Sequence, residues 1–171
     1  MPRTGSPGTS LVVLRGNSGA GKTTVARFVR EAYGRGCALV EQDYLRRVVL
    51  RERDVPGAIA PGLIAQTARY ALDAGYHVIC EGIMPSGRYG PMLAELVADH
   101  RGRSSVFYLD VSFAESVRRH GTRRVSYTVE DMRGWYRHQD LLDLPGEEIV
   151  PEGSTLTQTV ELVAGRLPAR L

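Results

Sequence analysis

Residues 16–24 of the chain read Gly16-Asn17-Ser18-Gly19-Ala20-Gly21-Lys22-Thr23-Thr24. This stretch follows a short apolar run, Leu11 to Leu14, and opens a segment over residues 22–33 whose apolar positions recur at helical spacing. The pattern GxxxxGK[ST] between a strand and a helix is typical of a phosphate-binding loop. Its glycines let successive backbone N–H groups turn toward an anion, and the N-terminus of the following helix adds a positive dipole end. The stretch therefore predicts a site for the phosphates of a nucleotide.

Lys22 and Thr23 are the two side chains of this loop to which the pattern assigns chemistry. Lys22 is the only lysine among the 22 lysines and arginines of the chain, which indicates a position that needs a compact ammonium group rather than a wide guanidinium. We expect Lys22 to contact the β- and γ-phosphates and the Thr23 hydroxyl to join the ligands of a Mg²⁺ ion. ATP or GTP with Mg²⁺ is therefore the expected nucleotide and cofactor.

The rest of the chain alternates short apolar runs with amphipathic segments. Strands are predicted over residues 11–14, 37–41, 77–81, 106–111 and 148–150. Helices are predicted over residues 22–33, 44–51, about 64–72, 91–100, 114–120, 130–136 and 155–167. This alternation predicts an α/β fold of three αβα layers, with helices on both faces of a parallel sheet. Residues 1–9 are expected to form a flexible N-terminal tail and residues 10–171 a single domain.

Composition restricts the classes of protein to which the chain can belong. The 171 residues carry a formal net charge of +3, which suits a phosphorylated ligand and falls short of the strongly basic surface of a nucleic-acid-binding protein. Cys37 and Cys80 lie far apart and the histidines show no metal-ligand spacing, so neither a disulfide scaffold nor a zinc site is expected. No secretory leader and no apolar run of membrane-spanning length is apparent, which indicates a cytoplasmic protein.

Two carboxylates follow predicted strands and are candidates for chemistry. Asp43 comes just after the second strand, where it can act as a general base on an acceptor hydroxyl; its alternative role is to cap the helix beginning at Tyr44. Glu81 ends the third strand and is expected to hold a Mg²⁺-bound water or an acceptor hydroxyl, the alternative being a solvated carboxylate. Arg46 shares a helix face with Asp43 and is expected to hold a polar acceptor, whereas Arg47 is expected to point elsewhere.

Four arginines fall within the seven residues that end at Arg124. Two of them, Arg119 and Arg123, are four residues apart and share a helix face, while Arg124 lies off it. We expect them to belong to a lid over about residues 119–136 and to neutralise charge on the phosphoryl group in transfer. The alternative is a solvated helix end whose cations lie near the C-terminal dipole.

These features resemble the compact P-loop kinases that phosphorylate a hydroxyl of a non-protein acceptor. Within that group the chain resembles chloramphenicol phosphotransferase, zeta-toxin-type sugar-nucleotide kinases and the kinase domain of phage polynucleotide kinase. Asp43-Tyr44 with Arg46 is similar to the Asp-Tyr-Arg-type segment of the last family, and Arg119, Arg123 and residues 132–136 are similar to its lid. The resemblance implies a five-stranded parallel sheet of order 2-3-1-4-5, Asp43 as base and the lid arginines on the ATP phosphates. Glu81 departs from the pattern of the resembled family, in which an aspartate is common at this position.

Residues and resemblance together predict an ATP-dependent phosphotransferase that moves the γ-phosphate to a hydroxyl of a small-molecule acceptor of the antibiotic, nucleoside or sugar type. Its expected catalytic residues are Lys22, Asp43, Arg119 and Arg123, and its expected acceptor-binding residues are Asp43, Arg46 and Glu81. One alternative is a 5′-hydroxyl polynucleotide kinase. Another is a nucleotide-binding regulatory protein without an acceptor. No membrane partner is expected, and a homodimer is left open.

Overall fold

The computed structural model describes residues 3–121 and 127–169, and a sheet of five parallel strands forms its centre. The strands are β1 (Ser10–Gly16), β2 (Cys37–Glu41), β3 (His77–Glu81), β4 (Arg103–Asp110) and β5 (Glu147–Pro151). They are hydrogen-bonded in the order β2-β3-β1-β4-β5, and every pair is parallel. The predicted fold class and strand order are confirmed.

Helices connect the strands and cover both faces of the sheet. The α-helices are α1 (Lys22–Tyr33), α2 (Ala60–Asp73), α3 (Ser86–Asp99), α4 (Phe113–His120), α5 (Val129–Trp135) and α6 (Leu156–Ala164). A π-helical segment, Tyr44–Val49, follows β2. The side chains of β1 alternate between the faces, so that Val12 and Leu14 pack with α1 and α6, while Leu11 and Val13 pack with α2 and α3. Burial on both faces explains the continuous apolar run at this strand.

Residues 3–9 do not form the flexible tail that their composition predicts. Thr4 is buried, its N–H donates to the Asp99 carbonyl at the end of α3, and its hydroxyl donates to Oδ1 of Asp73 at the end of α2. The Thr9 hydroxyl lies 2.9 Å from Nε2 of His100. The segment is fixed by partners far along the chain, and a composition of Pro, Gly, Ser and Thr gives no sign of them.

Helix α3 begins earlier than its sequence indicates. The apolar residues between Met92 and Val97 predict a helix that starts at Pro91, but the helix starts at Ser86 and contains Pro91. The additional turn carries Tyr89, which is fully buried. The Tyr89 hydroxyl accepts a hydrogen bond from Gln42 and donates one to Asp54. These bonds to two residues between β2 and α2 hold the extra turn despite the proline that follows.

A fully buried arginine, Arg15, stands near the end of β1. Its Nε and Nη2 donate to the Met84 carbonyl, and its Nη1 donates to the Asp140 carbonyl at 2.8 Å. Its Nη2 also lies 2.9 Å from a carboxylate oxygen of Asp140. Burial lowers the pKa of Arg15, while the Asp140 carboxylate opposes that shift. One side chain thus joins the central strand to the loop after β3 and to the segment before β5.

Candidate active site

The predicted phosphate loop lies at the carboxyl edge of the sheet, between β1 and α1. Its glycines take left-handed backbone angles, with φ of +142° at Gly16 and +95° at Gly21. A Cβ atom at Gly16 would lie 2.5 Å from the Leu109 carbonyl oxygen, so a larger residue does not fit there. Lys22 is only 7% exposed, and its Nζ donates to the Asn17 carbonyl at 2.8 Å. The loop therefore encloses the ammonium group of its lysine.

Glu81 and Thr23 meet beside this loop. The register pairs Leu14 of β1 with Glu81 of β3, which brings the carboxylate to the start of α1. The Thr23 hydroxyl donates to Oε1 of Glu81 at 3.0 Å, and Glu81 is 4% exposed. Burial raises the pKa of Glu81, and the charge of Lys22 together with the Thr23 hydrogen bond opposes the shift. This placement next to the phosphate loop is the one that the strand order predicts.

A buried carboxylate beside a threonine hydroxyl fits a Mg²⁺ ion, which takes oxygen ligands and uses only one or two protein carboxylates together with phosphate oxygens. A cation here would also compensate the buried charge of Glu81. Within residues 3–121 and 127–169, no group of three or more His, Cys, Asp or Glu residues has the arrangement of a metal site. Thr23 and Glu81, which the structure brings together, are the residues that would hold the ion.

Asp43 stands at the start of the π-helical segment with its side chain 57% exposed. Its Oδ1 accepts from Nη2 of Arg46 at 3.0 Å and lies 3.2 Å from Nε of Arg47. In the described part of the chain its side chain makes no capping hydrogen bond, so the helix-cap alternative is not observed. The expectation that Arg47 points elsewhere is wrong, because a residue four positions after Asp43 shares its helix face as much as one three positions after it.

Asp43 lines two neighbouring cavities. One cavity, of about 240 Å³, is lined by residues of the phosphate loop together with Glu81 and Tyr127. The other, of about 360 Å³, lies on the far side of Asp43 and is lined by Arg46, Trp135 and other residues of the loops above the sheet. Asp43 and Ile83 belong to the walls of both. The carboxylate therefore lies where the two cavities meet.

Arg119 extends from α4 toward the phosphate loop. Its Nη1 is directed at the carbonyl oxygens of Gly19 and Ala20, 3.4 Å from each, and its Nε donates to Glu115 at 2.6 Å. Hydrogen bonds from Arg118 and Arg119 lower the pKa of Glu115 to about 2. The ionised Glu115 holds Arg119 beside the loop.

Arg123 and Arg124 lie outside the described residues. Of the two predicted lid arginines, the structure therefore describes only Arg119.

Two contacts of the phosphate loop have no counterpart in the sequence pattern. The Asn17 side chain pairs with the backbone of Arg137, since its Nδ2 donates to the carbonyl at 2.6 Å and its Oδ1 accepts from the N–H at 2.9 Å. The hydroxyls of Ser18 and Tyr127 lie 3.0 Å apart. Both contacts join the loop to the segment that carries α5. The pattern GxxxxGK[ST] leaves these two loop positions unspecified, so it holds no signal for either contact.

Comparison with protein families agrees with this geometry. A family model described as an AAA domain matches residues 11–136, a range that includes the phosphate loop, Asp43, Glu81 and Arg119. The chain belongs to this AAA domain family. Comparison with curated proteins gives no significant sequence match.

Solved kinase structures share the fold of this AAA domain protein. A sugar kinase from Janibacter sp. HTCC2649 aligns over 92% of this chain and 94% of its own, with a TM-score of 0.67 and 20% identity. APS kinase of Mycobacterium tuberculosis in complex with AMPPNP and APS aligns over 96% and 98%, with a TM-score of 0.65 and 18% identity. A gluconokinase from Sinorhizobium meliloti 1021 aligns over 96% and 92%, with a TM-score of 0.64 and 15% identity. The expected P-loop kinase fold is confirmed.

In the described ranges, the helices of this AAA domain protein are all too short or too polar to cross a bilayer.

Proposed function

We propose that this AAA domain protein is a kinase that transfers the γ-phosphate of ATP to a hydroxyl of a small-molecule acceptor. The observation that carries the proposal is the position of Asp43 in the walls of both the phosphate-loop cavity and its neighbour. A proton acceptor for phosphoryl transfer must reach the acceptor hydroxyl while that hydroxyl faces the γ-phosphate. A protein that only binds a nucleotide needs neither the second cavity nor the carboxylate between the two.

The phosphate loop and its neighbours bind and orient ATP in this mechanism. Backbone N–H groups of the loop and the Lys22 ammonium bind the β- and γ-phosphates. Thr23 and Glu81 would hold a Mg²⁺ ion, which would supply positive charge to the phosphates when bound. Arg119, fixed by Glu115 next to the loop, adds positive charge near the transferred group.

Asp43 performs the proton transfer. Arg46 and Arg47 hold its Oδ1 and leave the carboxylate accessible from the second cavity. The acceptor oxygen bonds to the γ-phosphorus as its proton passes to Asp43, and the bond from that phosphorus to the β,γ-bridging oxygen breaks to release ADP. Arg123 remains a proposal from the sequence for the second lid cation.

A γ-phosphate transfer screen tests the proposal. The purified protein is incubated with Mg²⁺ and ATP and with antibiotics, nucleosides, sugars, sugar acids and 5′-hydroxyl oligonucleotides, and phosphorylated products are detected by mass spectrometry. We expect at least one small alcohol to gain a phosphoryl group with matching ADP formation. Nucleotide binding without transfer to any acceptor class would contradict the proposed activity and favour a regulatory nucleotide-binding protein.

A further inference from the structure

The cavity on the far side of Asp43 is lined by more positive than negative side chains. Its arginines are Arg46, Arg47, Arg53, Arg88 and Arg137, and its carboxylates are Asp43 and Asp54. Five guanidinium groups against two carboxylates leave an excess of three positive charges around about 360 Å³. The formal net charge of the whole chain is also +3, so this small region holds an excess as large as that of the entire protein.

The ion pairs within the cavity do not remove the excess. Arg46 and Arg47 share the single carboxylate of Asp43, and Arg88 pairs with Asp54. The Arg137 guanidinium donates to the carbonyl oxygens of Gly134 and Tyr136, which carry no formal charge.

Arg53 is exposed at the cavity wall and brings a further positive charge. Arg46 is more than nine-tenths buried, and its Nε finds no hydrogen-bond partner among the described residues. The arginines in excess of the two carboxylates repel each other, and a bound anion would relieve that repulsion.

We propose that the acceptor is a small alcohol that itself carries an anionic group, a phosphate, sulfate or carboxylate, bound by these arginines while its hydroxyl faces Asp43. The inference rests on the kinase function proposed above. The guanidinium fork matches the geometry of such oxyanions and binds them through two parallel N–H···O bonds. The cavity volume falls at the lower end of the range for small-molecule sites, which favours a metabolite over a polymer.

The first experiment measures anion binding without turnover. Trp135, the only tryptophan of the chain, lines the cavity and is 39% exposed, so its fluorescence reports occupancy. The full chain is saturated with Mg²⁺ and AMPPNP to fill the phosphate loop and is then titrated with sodium sulfate against sodium chloride at constant ionic strength. We expect a saturable signal with sulfate that shifts to about tenfold higher concentration in Arg53→Gln, the usual loss for one hydrogen bond to a charged group.

The control is Arg35→Gln, an exposed arginine in the turn between α1 and β2, which should titrate like the wild type. A sulfate response equal to that of chloride, or one that Arg53→Gln leaves unchanged, would overturn the inference.

The second experiment compares transfer to matched acceptors: adenosine with adenosine 3′-monophosphate, glucose with gluconate, and glycerol with glycerate. We expect the anionic member of at least one pair to have a kcat/KM at least tenfold above its neutral counterpart, and Arg53→Gln to reduce that preference. Equal transfer to both members of every productive pair would overturn the anionic acceptor and leave the kinase in place.

Two further outcomes separate the two proposals. Sulfate binding that depends on Arg53, without transfer to any acceptor, would refute the kinase and keep the anion site. Transfer confined to 5′-hydroxyl oligonucleotides would overturn the small-molecule acceptor in favour of a nucleic acid.

Discussion

The proposed role of Asp43 as general base can be tested by a single substitution that leaves the fold intact. Asparagine keeps the size of the side chain and an oxygen for Arg46 and Arg47, but it does not accept a proton. We expect Asp43→Asn to retain ATP affinity and thermal stability and to lose about 10²-fold or more in kcat, the range for a lost general base. Steady-state kinetics and a thermal melt provide the measurements, with the exposed Asp143→Asn as control. Wild-type turnover by Asp43→Asn would remove Asp43 from the mechanism.

Lys22 offers a second test at a single position. Its ammonium group is enclosed by the loop and bound to the Asn17 carbonyl, and a guanidinium is too wide to take the same place. We expect both Lys22→Ala and Lys22→Arg to fold and to bind MgATP about 10- to 100-fold more weakly, as measured by calorimetry. Binding by Lys22→Arg as tight as that of the wild type would show that any cation suffices.

Glu81 links pH to stability. Its pKa is raised by burial in the folded protein above the ordinary value of 4.5, so the folded state binds the proton more tightly than the unfolded state. The stability associated with this group is therefore complete below pH 4.5 and declines as the pH rises through the folded-state pKa.

Glu81→Gln removes this dependence. Without Mg²⁺ or nucleotide, we expect the variant to melt about 2–4 °C above the wild type at neutral pH, equivalent to about 1 kcal/mol, and the difference to vanish at acid pH. The same variant should lose the Mg²⁺ dependence of ATP binding. A neutral-pH melting temperature below that of the wild type would contradict the assignment of a destabilising buried charge.

At the scale of one helix, α4 supplies a matched pair of arginines. Arg118 and Arg119 both bind Glu115, but only Arg119 is also directed at the phosphate-loop carbonyls. We expect Arg119→Gln to lower kcat by about 10³-fold if it acts as an arginine finger does, with a smaller effect on ATP affinity. Arg118→Gln, at a side chain that is 69% exposed, should stay close to the wild type. Equal losses in the two variants, confined to binding, would indicate only a diffuse positive field.

The bounds of a helix or strand can be predicted from the sequence where they depend on neighbouring residues alone. Helix α1 and strands β2 and β3 have the bounds that apolar spacing and flanking glycines predict. The sequence predicts a helix that runs to Arg51 after β2, whereas this segment is π-helical and ends at Val49. Arg51 takes a left-handed φ of +52°. Helix α3 gains its first turn from Tyr89 and its distant partners. Local signals therefore fail where tertiary contacts decide where a helix begins or ends.

At the scale of the whole molecule, the buried side chain of Arg15 joins strand β1 to the loop after β3 and to the segment before β5. Its guanidinium has no exposed surface, and the Asp140 carboxylate compensates its charge with Ser86 as a further partner. We expect Asp140→Ala to lower the free energy of unfolding by about 3 kcal/mol, because the buried guanidinium loses the nearer of its two carboxylate partners and keeps only Glu147, at 3.5 Å. Urea unfolding measures the loss. Glu130→Ala, which breaks a pair at the surface, should cost less than about 1 kcal/mol, and a similarly small cost at Asp140 would contradict this role of Arg15.

The parts of the site that the sequence did not predict share one physical property. Asn17 and Arg137 are 120 residues apart, and Arg15 and Asp140 are 125 apart. Neither pair has a periodicity or a motif, since such contacts arise only when the sheet brings distant loops to one edge. The phosphate loop, Asp43 and Glu81 could be proposed from the sequence because each lies at the carboxyl end of a strand, the edge where parallel sheets bind ligands.

The enclosed Lys22 has a consequence for covalent chemistry. The 171 residues contain no other lysine, so acylation, reductive alkylation or attachment of a protein tag through an isopeptide bond finds a single side-chain amine in the sequence. That amine is 7% exposed and lies where nucleotide phosphates would cover it. Modification of Lys22, located by peptide mapping to distinguish it from modification of the α-amino group, thus becomes an assay of nucleotide occupancy, because ATP would shield the lysine and a modified Lys22 would mark a protein whose site was empty.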